Sequence, residues 1–336
     1  GLKFQVAWHP FQLNPDMPPE GTDRLQYRIA KFGSLEKSQA LDARITETAA
    51  TLGLAPAHAD TGKLLLTGGV STVDGAAGGG LSPWAVIGGP GAEGQTGAAA
   101  YISRAVTRDY GLTAAGVAIG LNDRVELSFG HQDFNTRATG AALNLPGLRL
   151  KQDIVGVKVR VAGDAVLDSD TWMPQVAVGL QHKRTDAGDL GPTLFGPLGA
   201  KRSGTDVYAS ATKLFLGQGL LVNATLRLTK ANQGGLLGFG GAQASSHKLQ
   251  PEFSVAKLLS KNVVVGAEYR VKPDNLNRSV LGTGALKEDD WFDVFVAWAP
   301  TKNFSLTAAY VDLGRIAPAV QPRRQTGGYL SAQFAF

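Results

Sequence analysis

Along most of the chain, apolar and polar residues alternate with a period of two. That is the spacing of a strand showing one face to an apolar medium and the other to a polar one. In KQDIVGVKVRV, Val155, Val157, Val159 and Val161 share one face, and Gly156, Lys158 and Arg160 share the other. In NVVVGAEYRVK, Val265, Ala267, Tyr269 and Val271 oppose Gly266, Glu268, Arg270 and Lys272. From residue 95 onward the alternation predicts strands at 95–106, 113–121, 124–134, 152–162, 174–184, 205–216, 219–230, 246–259, 263–272, 290–299, 303–312 and 326–336. The connections at Asn122-Asp123, Gly217-Gln218, 260–262 and 300–302 read as tight turns. Those at 135–151, 185–204, 231–245, 273–289 and 313–325 are long and rich in Gly, Pro, Asn or Asp.

Alternating short and long connections between strands of about ten residues are the pattern of a transmembrane β-barrel. The predicted fold class is therefore all-β: an antiparallel up-and-down transmembrane β-barrel of about twelve strands, with fourteen the alternative, preceded by a short, partly helical N-terminal segment. The count turns on GKLLLTGGVSTVDGAAGGGLSPWAVIGGP at 62–90, whose short apolar pieces and glycines suit either a plug bent into the lumen or an extra wall hairpin. The domains read as a fragment at 1–59, a Gly-rich plug or hairpin at 60–94, and a barrel at 95–336. The final TGGYLSAQFAF alternates too, and its last strand is expected to close the barrel against the first, so that no edge stays unpaired. Phe334 and Phe336 match the C-terminal aromatic signal that the outer-membrane barrel assembly machinery reads in its clients.

Composition narrows the chemistry. The 336 residues include 43 Gly and no Cys, so disulfides, thiolate metal sites and cysteine nucleophiles are absent. The formal charge of +5 comes from scattered basic residues, without the clustered footprint that nucleic acid needs. The apolar runs are too short for a membrane-spanning helix, which leaves the barrel as the means of crossing.

His9, His58, His131, His182 and His247 are dispersed, and no HExxH, GxSxG or P-loop occurs, so the reading assigns no metal, no cofactor and no catalytic residue. Ser128 and His131 stand three apart on a strand, hence on opposite faces, which argues against a lipid-facing dyad. The strand phases turn Glu126, Lys158, Arg160, Lys183, Arg227, Glu268, Arg270 and Lys272 inward. A charge on the lipid face costs about 2–4 kcal/mol at the midplane, so the barrel enforces that placement. Basic residues outnumber acidic ones in this set. The functional expectation is a narrow channel for small, anionic solutes, the alternatives being a structural or assembly barrel with a plugged lumen and a lipid-facing enzyme.

The block at 64–89, with DRVELSF at 123–129 and KQDIVGVKV at 151–159, resembles an uncharacterised family of proteobacterial outer-membrane proteins, itself similar to barrels encoded near aromatic-degradation pathways. The resemblance implies a barrel in the bacterial outer membrane with lipid around it, and aromatic acids among its solutes; it assigns no residue a role. WHPFQLNPDMPPEG at 8–21 and YRIAKFGS at 27–34 resemble the DsbA-like thioredoxin-fold family near the FrnE oxidoreductases. The match is a fragment without that family's active-site turn, and thiol exchange is excluded without cysteine. Ala57-His58-Ala59 reads as a signal-peptidase site, with the barrel portion beginning near Asp60.

Overall fold

The computed structural model describes residues 29, 33–37, 40, 63, 66, 68–165 and 172–336. The chain divides into two units, residues 1–61 and 62–336. In the first, residues 35–37 are helical. The WHPFQLNPDMPPEG stretch and the Ala57-His58-Ala59 motif lie outside the described residues.

Two short strands, β1 (Val70–Ser71) and β2 (Ala77–Gly78), pair only with each other. The wall follows: β3 (Thr96–Thr107), β4 (Gly111–Leu121), β5 (Val125–Asn135), β6 (Arg149–Ala162), β7 (Gln175–Asp186), β8 (Ser203–Phe215), β9 (Leu220–Thr229), β10 (Lys248–Ser260), β11 (Val263–Arg270), β12 (Trp291–Thr301), β13 (Phe304–Asp312) and β14 (Thr326–Ala335). These twelve form one closed barrel in which each strand pairs antiparallel with its sequence neighbours and β14 returns to β3, with Leu330 opposite Arg104 and Phe334 opposite Ala100. Phe336 completes the seam by exchanging two backbone hydrogen bonds with Ala98, at 2.9 and 2.8 Å. The 70–78 hairpin adds nothing to the wall, so the fourteen-strand alternative is set aside.

Closure follows from the alternation. Ile102, Val155, Leu226, Phe253, Val294, Tyr310 and Leu330 are each at least half exposed or close to it, whereas Ser103, Thr225, Ser254, Asp293 and Ser331, each next to one of them in sequence, are buried. The barrel is thus apolar outside and polar inside, the arrangement in which every backbone group is paired and hydrocarbon meets only apolar side chains. Among the described residues no helix is long and apolar enough to cross a membrane.

The turn at Asn122-Asp123 carries positive φ at both residues (53° and 47°), with Arg124 N–H bonded to Leu121 C=O at 2.9 Å. Its twist matches that of the flanking strands. Two connections break the expected alternation of lengths. The β3–β4 turn at 108–110 is tight because Tyr110 tucks inward and stacks on Phe134 (ring centroids 5.2 Å apart). At the opposite end, the 163–174 connection is long, and its Ala165 is buried with Trp84 and Val70. Over the long-loop end, loop and strand-end residues from around the barrel, including Leu148, Leu194, Leu198, Leu237, Leu276 and Ile316, pack into one apolar cluster.

Candidate functional site

The lumen is occupied by residues 69–89, nearly all buried and joined to inward side chains around the wall. The β1–β2 hairpin turns at Asp74-Gly75. Gly75 has φ +95°, and a Cβ there would stand 3.2 Å from the Phe129 carbonyl oxygen, so the turn needs glycine for both conformation and approach. The turn carries Asp74 into a ring of charges. Asp74 Oδ2 lies 2.9 Å from Lys183 Nζ (β7) and 3.4 Å from Arg270 Nη1 (β11). Lys183 also reaches Asp206 (β8) at 3.4 Å, and Asp206 meets Arg227 (β9) at 3.6 Å. Arg227 Nε is 2.5 Å from Glu252 (β10), which in turn is 3.4 Å from Arg270 Nε. Five consecutive wall strands and the plug therefore close a cycle of three carboxylates and three cations with alternating signs, each almost wholly buried. A buried charge is tolerable only when paired, and here each member has two opposite neighbours.

Two further carboxylates hold the plug by its backbone. Glu126 (β5) accepts the N–H groups of Ala77 (3.1 Å) and Gly88 (2.7 Å) while pairing with Lys158 (β6) at 3.0 Å. Lys158 donates in turn to the carbonyls of Ala77 and Trp84. Glu268 (β11) accepts the N–H groups of Leu81 (2.7 Å) and Ser82 (3.3 Å) and the Ser254 hydroxyl (2.8 Å). Neutral partners complete the attachment: Ser210 and Thr225 donate to Pro83 C=O, Thr212 accepts Ala85 N–H, Gln132 donates to Val73 C=O, and Gln333 accepts Ser71 N–H.

Of the sequence-predicted lumen residues, Lys183, Arg227 and Arg270 meet in the ring, and Glu126, Lys158 and Glu268 bind the plug. Arg160 lies apart at the short-turn end, paired with Asp123 (3.1 Å) and Asp164 (2.7 Å). Lys272 lies at the long-loop end, 3.3 Å from Glu288. The eight predicted residues are mostly basic, but among all the described residues buried acidic side chains outnumber buried basic ones nine to six. The strand phases of Asp206 and Glu252 already pointed inward and could have balanced the count; Asp74 had no phase to read. Ser128 is buried, whereas His131 faces outward against Asp153 at 2.7 Å, so no dyad forms. Among the described residues no group of three or more His, Asp or Glu is placed to hold a metal.

Above the ring, the 231–239 loop folds into the mouth. Lys183 donates to Gly234 C=O (3.2 Å) and Thr185 to Gly235 C=O (2.7 Å). Gln233, at φ +47°, donates its N–H to both oxygens of Glu288 (3.0 Å each), and its side-chain carbonyl accepts from Lys272 Nζ (2.7 Å). Burial pushes the Glu288 carboxyl up to about 7, offset in part by Lys272, and burial lowers Lys272. Next to it, hydrogen bonds from Arg315 hold the Asp289 carboxyl down at about 2. Glu288 ionises near its ordinary value of 4.5 when unfolded, so its contribution is fully present below that pH and is lost as pH rises through 7. It amounts to about 3 kcal/mol at most. Corrected for intrinsic rates, the backbone amides of 233–237 should exchange with deuterium roughly ten-fold or more slowly at pH 5 than at pH 8. Glu288→Gln should flatten that difference, and equal protection at both pH values in the unaltered chain would rule the effect out.

A family model described as a protein of unknown function, DUF3034, matches residues 67–333. No curated protein matches the chain. Solved structures share the barrel fold at low identity. The "KdgM porin" is 9% identical with a TM-score of 0.43, covering 71% of this chain and 99% of its own. A "NanC porin" is 10% identical at 0.45, covering 70% and 98%. The "COG4313 outer membrane channel from Pseudomonas putida F1" is 15% identical at 0.43, covering 73% and 96%.

Proposed function

The chain belongs to the DUF3034 family, and from that premise we propose that it is an outer-membrane barrel passing small solutes through a narrow path gated by residues 69–89. The observation that carries the reading is the manner of attachment: the plug is held to the wall mainly by side-chain hydrogen bonds and ion pairs, and not one of its residues pairs with a wall strand. Polar contacts of this kind can be exchanged for water one at a time, whereas a thirteenth strand could leave only by breaking the barrel. The surrounding membrane supplies lipid to the outward apolar faces. Phe334 and Phe336 are the proposed assembly signal, Phe336 being among the most exposed apolar residues of the wall.

Charge selectivity should be weak. With the plug displaced, Lys158, Lys183, Arg227 and Arg270 on the wall strands face Glu126, Asp206, Glu252, Glu268 and Asp293, so neither sign dominates. This argues against the anion preference expected from the sequence. The test is single-channel recording of the refolded chain in a planar bilayer under a salt gradient. Long closed periods with brief openings, and a reversal potential well under half the ideal Nernst value, are expected. A strongly anion-selective open state would contradict the balanced lumen. A structural barrel is the second reading, favoured by the near-complete burial of 69–89, and it predicts silence under every condition.

A further inference from the structure

Every lumenal carboxylate of the ring and the Glu126 pair has a cation, but on β12 a buried acceptor atom and a buried donor atom have no hydrogen-bond partner. Asp293 and Trp291 stand two apart on β12 and so point to the same, inward side, with Cα atoms about 6.7 Å apart. Asp293 is 4% exposed and Trp291 9%. Asp293 Oδ1 accepts no hydrogen bond, and Trp291 Nε1 donates none. Both line a cavity of about 50 Å³ between the plug and the wall from β12 round to β5, with Asp74, Leu81, Gln132, Phe295 and Tyr329 among the other lining residues. An orphaned acceptor and an orphaned donor at one cavity are each costly to bury, and neither is explained by the ring or by the plug's attachment.

The pair selects among ligands. A cation would satisfy Asp293 alone and would stand beside the cationic heads of Arg270 and Lys272, which already lie 5.5 and 4.6 Å from the Trp291 ring centroid. An anion would meet the Asp293 carboxyl. A hydroxyl answers both groups, donating its proton to Asp293 and accepting from the indole N–H, and a carboxylate and a carboxylic acid both offer it an acceptor oxygen. The space is that of about three or four waters, close to a three-carbon polyol. The aromatic and aliphatic lining suits its C–H faces.

We infer that this cavity binds an uncharged, polyhydroxylated small molecule, held by Asp293 and Trp291. The inference takes solute passage as its premise and names the class of solute, yet its readout does not depend on conduction. The probe is glycerol, followed by saturation-transfer NMR on the full chain refolded in a detergent without a sugar head group. Saturable transfer is expected, reduced at least roughly five-fold by Asp293→Asn, which keeps the side-chain shape, and by Trp291→Phe, which keeps an aromatic ring but removes the indole N–H. Should Asp293→Asn fail to fold, Trp291→Phe decides alone, since the Phe ring still packs under Arg270 and Lys272. Absence of saturable transfer in the unaltered chain, or transfer undiminished by both changes, would overturn the site and leave water as its occupant. A barrel that conducts but does not bind glycerol defeats this inference and spares the channel; one that binds but never conducts does the reverse.

Discussion

Excising residues 69–89 is expected to turn an almost silent barrel into a steadily conducting one, with mean current at fixed voltage rising roughly ten-fold or more. The wall should survive the deletion. β1 and β2 pair only with each other, so no ladder of the barrel is cut. The ends also meet: a Cβ on Gly68 would stand 3.8 Å from the Gly89 carbonyl oxygen, so the chain can be rejoined without spanning a gap. What the barrel loses is the polar cover on Glu126, Glu268, Ser210, Thr212 and Gln132, which water entering the lumen replaces. Asp74 leaves as well, and Lys183 and Arg270 keep Asp206 and Glu252 as partners. Folding is checked independently by the shift in gel mobility between heated and unheated samples. A folded deletion variant that stays silent would show that the 231–239 loop and the apolar cap suffice to close the barrel, and the gate would have to be sought there. The plug would then be structural.

How much of this was legible in the sequence depends on whether a period existed to read. The wall was legible because each strand must present lipid and lumen in turn, so Val155 to Val161 and Lys158 fix both the strand and its phase. The hairpin at 122–124 was legible because Asn and Asp tolerate the left-handed conformation its twist demands. β12 was harder to phase: Trp291, Phe292, Val294, Phe295 and Val296 place apolar residues on both faces, since the inward ones pack against the plug and the loop cap instead of water. Asp293 is concealed within that run. The plug has no period at all, because its path is set by glycines that permit close approach and by partners far away in sequence, such as Ser71 with Gln333 and Leu81 with Glu268. Composition could suggest that 62–90 left the wall, and only the wall's geometry could say which charges it would meet. The charge balance divides the same way: Asp206 and Glu252 stand on strands whose phase could be read, whereas Asp74, which closes the ion-pair ring, sits on the plug and had none.

The ring makes the second large prediction. Arg227→Met should lower unfolding stability in lipid vesicles by about 3–5 kcal/mol, the cost of removing one partner from a buried charge network. Met matches much of the aliphatic stem, so the loss reports charge more than volume. Arg227 is 1% exposed, bonds Glu252 at 2.5 Å and Gln181 at 2.8 Å, and lays its guanidinium over Tyr208 at 5.2 Å. Without it, Glu252 retains only Arg270 at 3.4 Å, and Asp206 only Lys183 at 3.4 Å, so each buried carboxylate falls from two cations to one. Adding Glu252→Gln to Arg227→Met removes the charge left uncovered and should restore part of the loss, a coupling of about 1–3 kcal/mol. The outward His131–Asp153 pair is also close, at 2.7 Å, but about half exposed, and Asp153→Asn should cost under about 1 kcal/mol. The contrast separates burial from mere proximity. If Arg227→Met were to cost no more than Asp153→Asn, water must already reach the ring in the resting barrel. The lumen would then be open past residue 74, and residues 69–89 could not be its gate.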